Sequence, residues 1–184
     1  MVEFISTGYQ VTAIAKDVVN GNIKDRLHPS VYGVGFIGVG KCAAIVDGKS
    51  QKSYKVWQSM LQRCYCPIYL SKKPTYIGCS VDVIWHNYQN FASWFEENYI
   101  DGLQLDKDIK IDGNKVYSSD SCMFVTAKEN SEKANAKMYV FNSPKGDRVE
   151  IYNLADFCRD NKLSRPNMMK VSSGDRRTHK GWTI

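Results

Sequence analysis

The chain has 184 residues, 25 Lys+Arg against 19 Asp+Glu for a formal net charge of +6, and is 43% hydrophobic and 12% aromatic. That length admits one ordinary domain or two to three small modules, and excludes a (β/α)8 barrel or a two-domain dehydrogenase. The apolar content supports a packed core, which excludes a disordered chain. No apolar run approaches the ~18 residues of a membrane span, and Met1 to Gly8 lacks a basic stretch followed by an apolar one. The expectation is a soluble, cytoplasmic protein with no membrane partner.

Residues 1-50 are rich in Gly, Val and Ile without a helical period, as in Tyr9 to Ala15 and Val31 to Ile37, and read as short strands and turns. Gly33-Val34-Gly35-Phe36-Ile37-Gly38 fits G-x-G-x-x-G, but Cys42 to Gly48 reads as a strand ending in an Asp-Gly turn. A dinucleotide site needs a helix there. Gly35 to Lys41 resembles a P-loop, but Cys42 stands where a Ser or Thr would ligate magnesium. Both matches are taken as coincidences of a glycine-rich segment.

The period then changes. Tyr54, Val56, Trp57, Met60, Leu61 and Cys64 predict an amphipathic helix over 51-64, stopped before Pro67. Trp85, Tyr88, Phe91, Ala92 and Phe95 predict a second over 86-98, whose aromatic stripe reads as core. Leu103 to Lys110, the turn-forming Asp112-Gly113-Asn114, Ser121 to Thr126 and the polar run Ala127 to Lys137 read as strand, loop, strand, helix, the order of a ββα-metal unit. Met138 to Asn142 and Asp147 to Tyr152 bracket Ser143-Pro144-Lys145-Gly146 and predict a β-hairpin. Asn153 suits the N-cap of one helix and Ser164, with Pro166 in the first turn, that of another. Two short helices with the second basic read as a helix-turn-helix, with an ordinary helical hairpin as the alternative. The fold class expected is α+β: a small β-rich module over 1-50, a central helical and ββα-like domain over 51-138, and a hairpin with helix-turn-helix over 139-184.

Charge follows this division unevenly. Residues 1-50 hold 5 basic and 4 acidic side chains, 51-138 hold 11 and 10, and 139-184 hold 9 and 5. The excess in the last quarter points to an anionic partner, although solvated surface explains the charge equally well.

Several spaced residues carry a family resemblance: Tyr54, Trp57, Met60, Arg63, Cys64 and Tyr65; Tyr76, Gly78, Cys79 and Val81; Trp85, Tyr88, Phe91 and Trp94; Leu105 to Asp108; Gly113, Asn114, Tyr117 and Ser118; and Cys122, Phe124 and Val125. With this set, residues 54-130 resemble the phage-encoded HNH-type homing endonucleases. Gly146 through Thr183, with Lys170, Gly174 and His179-Lys180-Gly181-Trp182, resembles the intron-encoded nuclease repeat, a helix-turn-helix module found behind phage nuclease domains. The resemblance implies a double-stranded DNA partner, a divalent cation such as Mg²⁺ and an infected bacterial host. The family's first motif is an Asp-His pair, matched here by Asp106-Lys107; its second has an Asn, matched by Ser121; its third matches Asn130. The implied catalytic residues are Asp106, Lys107, Asp108 and Asn130.

Phosphodiester cleavage needs a cation to neutralise developing charge and a group to deprotonate water, which a protonated lysine cannot be. Asp106 and Asp108 could hold Mg²⁺ through hard oxygens, or be two solvated carboxylates. Cys64, Cys79, His86 and Cys122 are types that suit zinc, but their spacing gives no support, and Cys64 and Cys122 read better as small buried hydrophobes. The six cysteines are expected as thiols rather than disulfides. For DNA, the expected contacts are Arg165, Asn167 and Met168 to base edges, with Lys162, Ser164, Lys170, Arg176, Arg177 and Lys180 around the same helix, the basic ones meeting phosphates. Metal-dependent DNA nicking or cleavage is the leading expectation. The alternatives are a catalytically inactive DNA-binding regulatory or targeting protein, and a phage protein that blocks a host protein.

Overall fold

The structure, a computed structural model, describes residues 1-111, 113-135 and 137-184, with backbone alone for 132-135. It is an α+β protein in two compact units, Met1–Thr126 and Ala127–Ile184. No helix among the described residues is long and apolar enough to cross a membrane.

The first unit begins with a hairpin of β1 (Val2–Phe4) and β2 (Tyr9–Val11), followed by the short helix α1 (Ala15–Val19), which buries nothing. A second hairpin joins β3 (Ile45–Val46) to β4 (Lys49–Ser50) through Asp47 and Gly48 at φ 48° and 72°, the two positive φ values of a type I′ turn. Between the hairpins the glycines serve packing. A Cβ at Gly35 would run into Leu61 Cδ1 and the Trp57 ring, and one at Gly40 into the Gln89 amide. The Gln89 side chain in turn accepts from Cys42 N (2.9 Å) and donates to the carbonyls of Cys42 (2.9 Å) and Ile37 (3.1 Å), stitching this segment to the helical core.

Helix α2 (Lys52–Tyr65) buries Trp57, Met60, Leu61 and Cys64, positions i, i+3, i+4 and i+7 of one face. Cys66 is extended, as a residue before proline prefers, and Pro67 opens α3 (Pro67–Lys72). After β5 (Ser80–Val81), a 3-10 turn carries Trp85, and Asn87 Oδ1 caps α4 (Tyr88–Asn98) by accepting from Gln89 N at 3.0 Å. Trp85 lies just before the helix, as the expected span 86-98 has it, and the helix itself starts two residues later than expected. The Trp85 carbonyl accepts from the fully buried Trp57 Nε1 at 2.7 Å, which satisfies the one polar atom of that indole. Tyr88, Phe91, Ala92 and Phe95 face the same core, and each large side chain buried this way stabilises the unit by roughly 1.5-3 kcal/mol before entropy is counted.

Strand β6 (Gln104–Asp106) pairs antiparallel with β8 (Met123–Val125), Leu105 opposite Phe124 and Asp106 opposite Met123. Between them β7 (Val116–Tyr117) turns away to pair in parallel with β5. Strand β8 ends at the start of α5 (Ala127–Asn135), so the chain order is strand, loop, strand, helix.

In the second unit β9 (Tyr139–Asn142) pairs with β10 (Arg148–Ile151). Asn153 Oδ1 accepts from Ala155 N and Asp156 N and caps α6 (Leu154–Asp160). Helix α7 (Arg165–Ser172) follows, and the core is Phe141, Ile151, Leu154, Cys158, Met168 and Val171. The C-terminus closes this unit. Lys180 and Gly181, at φ 48° and 83°, form a tight turn that pairs His179 with Trp182 and sends Thr183 back onto Asn142. The Trp182 ring packs edge-on against Phe157 at 5.2 Å.

Candidate functional site

Two places carry the residues of interest, one in each unit. The first is the loop after β6. Asp106 Oδ1 accepts from the backbone amides of Asp108 (2.9 Å) and Ile109 (2.7 Å), turning the chain sharply at the strand end. Burial raises the Asp106 carboxyl above the ordinary carboxylate range, the two amides oppose that shift, and the adjacent Asp108 carboxyl adds to it. Lys107 is buried, 9% exposed, and its Nζ donates to Asp108 Oδ2 (3.1 Å) and to the Asn114 carbonyl (2.9 Å). Asn114 Nδ2 returns the bond to the Lys107 carbonyl at 2.7 Å, so two reciprocal bonds close the loop. Ser121 is buried and donates to the Val116 carbonyl at 2.7 Å, with Ser118 Oγ 2.9 Å away. Its hydroxyl is thus committed to the β7 backbone. Asn130 lies half-buried on α5, in the other unit from Asp106.

Mg²⁺ takes carboxylate oxygens, and Asp106 and Asp108 are neighbours that sense each other's charge. The Lys107 ammonium sits against Asp108, and among the described residues no three His, Cys, Asp or Glu side chains are placed to hold a metal.

Among the cysteines, burial pushes the Cys64 thiol up to about 12 and the Cys122 thiol up to about 11, as for thiols packed in apolar space. His86 Nε2 lies 3.2 Å from the Val81 carbonyl and 3.4 Å from Tyr65 Oη, and Cys79 is buried in the core. These four residues form no metal-holding group in the structure, since three of them fill apolar space as small hydrophobes.

The second place is α7 and the chain after it. Lys162, Arg165, Lys170, Arg176, Arg177 and Lys180 are exposed, and Asn167 is half-buried. Met168 is fully buried against the hairpin core, so its expected place at base edges is corrected: a side chain with no exposed surface cannot read a groove. Met169 is 42% exposed and occupies the outer face instead, with Tyr139 Oη 3.6 Å from its sulfur. The i, i+3 pair Met168 and Val171 marked the inner face, a signal the sequence did contain. Ser164 stands at the N-cap of α7, but its hydroxyl caps nothing; its backbone N–H donates to His179 Nε2 at 3.0 Å. His179, 8% exposed, is held below its ordinary pKa by burial first and then by Arg176 and Lys180. Sequence spacing could not show this bond across fifteen residues. Lys180 Nζ donates to the Lys162 carbonyl at 2.7 Å, and Arg176 Nε to the Thr178 carbonyl at 2.8 Å, which fix the positions of two exposed charges.

No protein-family model matches the chain, and no curated protein matches it. Among solved structures it is similar to the HNH homing endonuclease I-HmuI, in a structure concerned with DNA binding and cleavage by that enzyme. The likeness covers 47% of this chain and 59% of that one at 29% identity, with a TM-score of 0.26. The chain thus spans about three fifths of that protein's length.

Proposed function

We propose that this protein binds double-stranded DNA through α7 and the 175-180 segment of its second unit. The observation that carries the reading is the split of α7 into two faces: Met168 and Val171 anchor it in the core, while Arg165 and Lys170 stay exposed on the helix and Arg176 and Arg177 follow just past its end. A short helix packed on a hairpin core and fringed by cations suits docking in a major groove, with Arg165 and Asn167 near base edges and the later cations on phosphates.

A second reading adds DNA nicking of the HNH type. It is favoured by Asp106 at the end of a strand whose antiparallel partner leads into α5, and opposed by Lys107, whose Nζ donates to Asp108 and Asn114 and offers no lone pair to take a proton from water.

Fluorescence titration of duplex DNA at several salt concentrations tests the binding. Arg176→Ala with Arg177→Ala lowers the slope of log affinity against log salt by about 0.9 per lost phosphate contact, whereas Asn167→Ala costs about 1-3 kcal/mol on a preferred site only. An unchanged slope in the double variant refutes the assignment. Supercoiled plasmid incubated with Mg²⁺ or Mn²⁺ decides the second reading: nicking by the wild type that Asp106→Ala abolishes supports it, and intact plasmid leaves binding alone.

A further inference from the structure

We propose that the Lys107 ammonium is the resident cation of the β6–β7 loop: it stands against Asp108 where a divalent ion would bind that carboxylate, completes the loop without metal, and excludes one. A buried ammonium is costly unless its hydrogens find partners and its charge an opposite charge. Lys107 meets both conditions. Its Nζ reaches Asp108 Oδ2 and the Asn114 carbonyl, and lies 6.0 Å from the centre of the buried Tyr117 ring, whose π face attracts a cation.

The coordination-like character lies in the convergence of partners from separate parts of the loop. One carboxylate, one main-chain carbonyl and one ring surround a single positive centre, and Asn114 Nδ2 ties the Lys107 carbonyl and the Val116 carbonyl (2.6 Å) together beneath it. Asp106, pinned by the amides of residues 108 and 109, supplies the second carboxyl beside Asp108. The Asp106 and Asp108 carboxyls and the Asn114 carbonyl are hard oxygens of the kind that Mg²⁺ and Mn²⁺ take, and the ammonium occupies two of these three groups. The loop is therefore a cation site whose cation is covalently part of the chain. This inference stands independently of DNA binding and opposes the nicking reading, whose metal it excludes; neither DNA affinity nor nicking is its readout.

The test is titration of the full chain with Mn²⁺ alone, following the loss of the free-ion paramagnetic resonance signal. Wild type is expected to show no saturable site sensitive to Asp108. Lys107→Met is expected to gain one site at least about tenfold tighter, and adding Asp108→Asn to remove that gain. If Lys107→Met does not fold, as judged by circular dichroism, Lys107→Gln carries the same test, because its amide still reaches toward the Asn114 carbonyl without the charge. Two results overturn the proposal. One is Mn²⁺ binding by wild type, as tight as in the variant and abolished by Asp108→Asn. The other is a folded position-107 variant with no gain.

Discussion

Truncating Met168 to alanine separates a core residue from a base-reading one. Met168 is fully buried among Phe141, Ile151, Leu154, Cys158 and Val171, so the substitution removes buried methylenes and the thioether and leaves a cavity, at a cost of about 2-5 kcal/mol. A unit the length of Ala127–Ile184 has a stability of roughly 3-9 kcal/mol in total. The variant therefore loses much of its margin, and its unfolding midpoint falls by at least about 10 °C. Met169→Ala, on the exposed face, stays within about 0.5 kcal/mol of wild type. Hydrogen exchange on the full chain, resolved by peptide, is the assay: protection drops across 139-184 in Met168→Ala, while the amides of α2 and α4 keep theirs. Unchanged protection in Met168→Ala, with loss of affinity confined to a preferred DNA sequence, would refute the reasoning and return Met168 to the groove.

Two further outcomes follow from named contacts. His179 accepts the Ser164 amide only when Nε2 is unprotonated, and its pKa is lowered in the fold. Its contribution is thus present above the unfolded value, roughly 6.5, and is lost as pH falls through the folded one. Exchange protection of α7 should drop on acidification below about 6.5, and His179→Ala should flatten that dependence; a wild-type profile unchanged by the substitution counts against the bond. Gly35→Ala drives a methyl into Leu61 and the Trp57 ring, an overpacking that costs about 1-3 kcal/mol and is read from the denaturant midpoint of the first unit. A variant as stable as wild type would show that this glycine is not needed for close approach.

Local signals in the sequence were enough for the elements that depend on local physics. The faces of α2 and α4 follow from side chains recurring every third and fourth residue, the Asp47-Gly48 turn from residues that tolerate positive φ, and the start of α6 from an Asn whose side chain reaches amides two and three residues on. The residues that carry the family resemblance lie in the β6 loop and around α7 as well as in the helical core. Tertiary structure alone decided what those residues do. Lys107, which the resemblance puts at the general-base position, is a buried donor once Asn114 and Tyr117 are brought round it, and His179, known from the sequence only as part of the repeat pattern, meets the Ser164 amide fifteen residues away. Gly35 and Gly40, whose motif matches the sequence already marked as coincidental, prove to be there so that α2 and the Gln89 side chain can approach. Periodicity and turn chemistry act over a few residues, whereas burial, desolvation and charge pairing depend on which distant segments share a volume, and the chain settles that only when it packs.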